Sequence, residues 1–160
     1  MINKTLVTSL AKMVKADQQL RKRAVISGCL KDGLAIKKID DSHHKWLKSF
    51  IQKYGYPDVR LVGKKGMHDF WLLIQHQDDN LKLQEDCLVN CNFEQRDKAF
   101  LTDRVLLAQG KKQIYGTQFH RNARGQLVPR PIRDKAGLEA RRRSAGLESF
   151  EKYQGYFRGR

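Results

Sequence analysis

Long hydrophobic runs are missing from this sequence. No apolar stretch approaches the ~20 residues that a membrane-spanning helix needs, so membrane insertion is not expected. The opening segment, MINKTLVTSLAKMVKADQQL, has one early Lys and no long apolar stretch ahead of its charges. No secretory signal is therefore expected. Cysteine is scarce and odd in number: Cys29, Cys87 and Cys91. Without framework spacing, these imply reduced thiols and a cytoplasmic setting. Cys87 and Cys91 stand four apart on an expected helix. With no two further ligands beside them, they read as small apolar core residues. A Ser–His–Asp order, a phosphate loop and a metal motif are all absent.

Acidic charge is also in short supply. Against 32 Lys and Arg stand 17 Asp and Glu, a net charge of +15. The excess concentrates late: residues 111–160 hold 13 basic and 4 acidic side chains. Such a balance attracts nucleic acid or anionic surfaces through counterion release. The basic tail (Arg130, Arg133, Arg141, Arg142, Arg143) would carry that contact. No zinc-finger spacing, RNP-type aromatic strand or continuous basic helix accompanies it, so no motif supports a nucleic-acid partner.

What is present suffices for a core. A chain of 160 residues with 40% hydrophobic content buries roughly 70% of its unfolded surface without disulfides or metal. The expected fold is mainly α: a single compact helical domain of about five to seven helices, with one C-terminal β-hairpin at about 113–119 and 126–132. A first helix spans about 4–26, and Gly28 and Gly33 mark a loop. A second begins near Asp40-Asp41-Ser42, taken as caps, and ends at Gly55. A third enters between Gly63 and Gly66 and runs through MHDFWLLIQHQ. A fourth covers about 80–92 and a fifth about 94–109. QIYGTQF and QLVPRPI flank the loop HRNARG as strands, with Pro129 and Pro131 confining the second to an edge. Asp134 caps a basic helix, and a short aromatic tail follows.

Four helices place a polar residue where the periodicity wants an apolar one: Asp17, His76 with Gln75, Gln84, and Asp103. One unpaired buried polar group costs roughly 1–3 kcal/mol, and a charge costs more. Four together are tolerable only if they satisfy one another or line a wet pocket. His76 is the acid–base candidate, because an imidazole titrates near neutrality. Asp103 or Asp17 could orient its ring. Arg21 and Arg104 lie beside the two Asp residues and could neutralise them. Arg104 and Arg142 could hold an anionic or carbonyl group. Tyr115, Thr117 and Gln118 offer directional hydrogen bonds, although Gln118 would face away from the other two in a strand. A metal site would need His76 with carboxylates such as Asp78 and Asp79, and none is assigned.

Several segments carry a resemblance. They are DQQLR (17–21), YGYPDVRLVG (54–63), WLLIQHQD (71–78) with Gln84, LTDRVLLAQGKKQIYGTQ (101–118), PI-x-D (131–134) and RR-x-x-x-GL (141–147). In this order the chain resembles a widespread bacterial domain family of unknown function. LTDRV followed by YGTQ is the most specific piece. The resemblance implies that Asp17, Arg21, Gln75, His76, Asp78, Gln84, Asp103, Arg104 and the 115–118 run are common features. It implies no activity and no cofactor. Three positions depart: Gln77 replaces a small residue, His43 an Asn, and Glu139 an Asp.

Three functions fit these residues. One is an enzyme on a small molecule or peptide, with His76 and Asp103 catalytic. Its binding groups would be Asp17, Arg21, Gln75, Asp78, Gln84, Arg104, Tyr115, Thr117, Gln118 and Arg142. The second is a non-catalytic binding module using the same pocket. The third is a nucleic-acid or anionic-surface binder.

Overall fold

The computed structural model describes residues 2–157. Among them are seven helices and one two-stranded antiparallel hairpin. They gather into two compact units, Met1–Asn92 and Phe93–Arg160. No helix is long and apolar enough to cross a membrane, among the described residues.

The first unit is four helices. α1 (Lys4–Ser27) starts on Asn3, whose side chain accepts from the Leu6 amide, and stops at Gly28 in the left-handed region. Its buried stripe is Leu6, Leu10 and, in register with them, Asp17. α2 (Leu30–Tyr54) is longer than expected, because the segment around Gly33 continues as helix. A single helical glycine costs only about 1 kcal/mol, and packing against α1 outweighs it. Asp40 and Asp41 are therefore mid-helix residues and not caps. α3 (Val59–Gln75) begins on Asp58, whose carboxylate accepts from the Arg60 and Leu61 amides. Gly63 breaks its course with φ 70° and ψ 170°, which an L side chain would resist. Beyond it lies the apolar heart of the unit: Met67, Phe70, Trp71, Leu73 and Ile74. α4 (Leu81–Asn90) adds Cys87, and Cys91 follows it; both thiols are free and buried.

The second unit starts with α5 (Gln95–Ala108), which buries Ala99, Leu101, Asp103 and Val105. The hairpin is shorter than expected. β1 (Phe119–Arg121) pairs with β2 (Leu127–Pro129), Phe119 opposite Pro129 and Arg121 opposite Leu127. Every strand of a two-stranded sheet is an edge, so Pro129 is admitted. The 113–118 segment is not strand; only an isolated bridge joins Gln113 to Ile132. α6 (Leu138–Ser144) and α7 (Phe150–Gly155) close the unit. Asp134 precedes α6 and accepts from the Gly137 amide.

Candidate functional site

The first unit holds a cluster of ionisable side chains on three helices. Asp17 is 1% exposed on the inner face of α1. One turn on, Arg21 donates from Nε to its Oδ1 at 2.8 Å. The same guanidinium reaches Asp40 of α2. His76 caps the C-terminus of α3, and its Nδ1 lies 2.9 Å from Asp17 Oδ2. That contact is close but poorly aligned, for Nδ1 has no well-directed hydrogen bond. Gln18 also donates to Asp17 Oδ2, at 3.0 Å. His43, three residues after Asp40, is 5% exposed, and i, i+3 spacing puts both on one face of α2.

The backbone around His76 is held in place. Gln84 of α4, fully buried, donates from Nε2 to the carbonyls of Ile74 and Gln75, 3.3 Å each. The Ile74 carbonyl also accepts from the Gln77 amide at 3.0 Å, and the Gln84 side chain completes the end of α3. Gln77, 2% exposed, donates to the Asp40 carbonyl at 3.3 Å. Gln75 is half-buried and Asp78 exposed.

Electrostatics differ among the acidic groups. Burial works to raise the Asp17 pKa. The close contact and charge of His76, with Arg21, outweigh it and hold the carboxyl below its ordinary value. Asp40 is pushed up, first by burial and then by the charge of Asp17, against the pull of Arg21. Burial lowers the imidazole pKa of His43, and the charges of Arg21 and His76 add to this while Asp17 opposes. The site thus places one firmly ionised carboxylate beside a reluctant one and a reluctant imidazole.

A polar cleft of about 260 Å³ opens over this cluster, lined by Arg21, Asp40, His76, Gln77, Asp78 and Asn80 among others. A second cleft of about 640 Å³ shares Asn80 with it. Its lining continues along α2 through His44, Lys48 and Ile51 and includes Tyr56 and Leu83.

The second unit has a polar hub of another kind. Asp103 is fully buried. Its Oδ1 accepts from the amides of Ile114 (2.8 Å) and Tyr115 (2.9 Å). Its Oδ2 accepts from the amide and hydroxyl of Thr117, both 2.9 Å. The carboxylate thus gathers the 114–117 backbone into a loop. Gly116 passes through it at φ 69°, where a Cβ would stand 2.8 Å from a Phe150 ring carbon. Gln113 completes the knot: its Nε2 donates to the carbonyls of Gln118 and Arg130, and its Oε1 accepts from the Gln118 amide. Arg142, 1% exposed, donates to the carbonyls of Tyr115 and Glu148. Its guanidinium lies over the rings of Tyr153 and Phe150. Arg104 is half-buried.

Asp17, Arg21 and His76 therefore meet, with Asp78 on the cleft rim and Gln75 and Gln84 in the backbone support. Asp103, Tyr115, Thr117, Gln118 and Arg142 meet in the second unit. Asp40, expected as a cap, and His43, expected only as a departure from the family pattern, are site residues that a helix starting at Asp40 does not reveal. Extending its stripe upstream from Phe50 and Leu47 by steps of 4 and 3 reaches both.

The chain belongs to a family of unknown function, DUF6624, whose model matches residues 4–158. No curated protein and no solved structure matches it.

Proposed function

We propose that the first unit is an enzymatic site for a small polar molecule, with His76 as general acid/base. The observation that carries this reading is His76 on the wall of a cleft with the buried Asp17 against its Nδ1. An ionised, buried carboxylate beside Nδ1 favours the tautomer that keeps its proton there. That leaves Nε2 as the atom able to take or give a proton at the cleft side. Arg21 holds Asp17 ionised and leaves a guanidinium at the cleft for an anionic or carbonyl oxygen. Asp78 stands at the rim as a further polar contact. In this reading Asp17 orients His76, while Asp103 and Arg142 shape the loop that carries Tyr115, Thr117 and Gln118. The adjoining cleft along α2 would take the remainder of a larger substrate.

The test is a metabolite library screened against the parent and His76→Gln, by thermal shift and by mass spectrometry of the mixtures. The expected result is a compound that stabilises both proteins and is converted only by the parent. Equal conversion by both would remove His76 from the chemistry. A compound bound by both and converted by neither would make the cleft a non-catalytic binding site.

A further inference from the structure

We propose that Asp17, Asp40 and His43 form a binding site for one divalent transition-metal cation of the Mn²⁺ or Zn²⁺ class. The inference does not depend on proton transfer by His76, since a cation could bind here whether or not that imidazole is catalytic.

The geometry comes from two facing helices. One ligand atom from each of the three side chains lies within 4.8 Å of the other two. Metal–oxygen and metal–nitrogen bonds of about 2.0–2.2 Å need the donors about 3–4 Å apart. Small side-chain adjustments on α1 and α2 would close that difference. Asp40 and His43 project from one face of α2 at i, i+3, and Asp17 faces them from α1. Carboxylate and imidazole from facing helices are a donor set that helical bundles use for such ions.

Two further observations point to a ligand. His43 is 5% exposed and directed into the cluster. Yet its ring takes no hydrogen bond among the described residues. An imidazole nitrogen without a protein partner keeps a lone pair that a cation can accept. Asp40 uses one oxygen on Arg21, and its other oxygen takes no hydrogen bond among the described residues. Charge agrees: two carboxylates share the guanidinium of Arg21.

Arg21 is the resident competitor, for its guanidinium bridges both carboxylates. A metal would take the free oxygen of Asp40 and draw Asp17 partly away from that bridge. Three protein ligands would leave coordination positions for water on the cleft side, next to His76.

The experiment is calorimetric titration of Mn²⁺ and Zn²⁺ into the full chain, with Co²⁺ absorption as the reporter of ligand type. The parent, Asp40→Asn, His43→Asn and His76→Gln are compared, each checked for helicity by circular dichroism. Expected is one equivalent bound by the parent and, more weakly, by His76→Gln, which loses a contact of the ligand Asp17. Affinity should fall by at least about tenfold in the other two variants, the low end of what loss of even an indirect metal partner costs. The Co²⁺ spectrum should carry no thiolate charge-transfer band. If His43→Asn does not fold, Asp40→Asn at its half-buried position carries the comparison. The proposal is overturned if the parent binds no metal, if all variants bind alike, or if a thiolate band assigns the ion to cysteine. None of these outcomes bears on whether His76 is catalytic, which the metabolite screen decides.

Discussion

Nδ1 of His76, at the C-terminal cap of α3, lies 2.9 Å from Oδ2 of Asp17, a carboxylate buried in the middle of α1. The pair ties two helices through a charge that a hydrophobic core would otherwise reject. Arg21 makes the arrangement tolerable, because it bonds the other oxygen of Asp17.

Asp17→Asn keeps the shape and removes the charge. Arg21 and His76 then lose their common partner, and stability should fall by about 1–3 kcal/mol in urea unfolding at neutral pH. The difference should shrink in acid. The Asp17 pKa is lowered in the folded state, so its stabilising contribution is complete above the ordinary carboxylate value of about 4. It is lost as pH falls through the lower folded value. Unchanged stability of the variant at neutral pH would mean that the pair contributes nothing.

Asp103→Ala should be the more damaging change. Three backbone amides and one hydroxyl lose their acceptor together. A loss of about 3–5 kcal/mol is expected, the range for breaking a buried charged network. In a variant that still folds, amide exchange at Ile114, Tyr115 and Thr117 should speed up before that of α5. Slow exchange there would show that the loop stands without the carboxylate.

His43 gives a pH signature. Burial first, with the charges of Arg21 and His76, lowers its pKa in the folded protein, while Asp17 opposes; Asp40 faces the same space. The unfolded chain therefore takes up this proton near the ordinary value of about 6.5, and the folded chain takes it up later. Stability should fall as pH drops from about 7.5 to 5.5, and His43→Asn should fall less. Parallel pH curves for parent and variant would contradict this.

Thiol chemistry separates the cysteines. Cys29 is exposed, and Cys87 and Cys91 are buried. A hydrogen bond with Cys91 and then burial push the Cys87 thiol far up, so its reactive thiolate is rare. A disulfide-exchange reagent should label Cys29 alone in buffer and all three in denaturant. Fast labelling of Cys87 in buffer would mean that α4 opens readily.

Much of this was legible in the pattern of polar residues. Asp17, Gln84 and Asp103 break helical periodicity, and each is buried and hydrogen-bonded, Gln84 through its Nε2 alone. Gly55 and Gly110 end helices where glycine should. The errors have physical causes. Gly33 reads as a loop because local propensity disfavours it in a helix, yet packing of α2 on α1 carries the helix through. With the helix starting at Asp40, nothing in the pattern shows that Asp40 and His43 share the face turned to Asp17. YGTQ has strand-like composition, but Asp103 claims its amides, and an amide bonded to a side chain cannot serve a β-ladder. Neither the i→i+14 reach from Asp103 to Thr117 nor the role of Gln113 is written in any local pattern.

Until the 113–118 segment arrives, Asp103 is a bare charge on the face of α5 that packing must cover. Desolvating it early would cost more than the surrounding Leu101 and Val105 return. Water has to stay at that face until Ile114, Tyr115 and Thr117 replace it donor for donor. The closing of this loop and the drying of α5 are then one event, and Gly116, able to turn where other residues resist, sets how readily it happens.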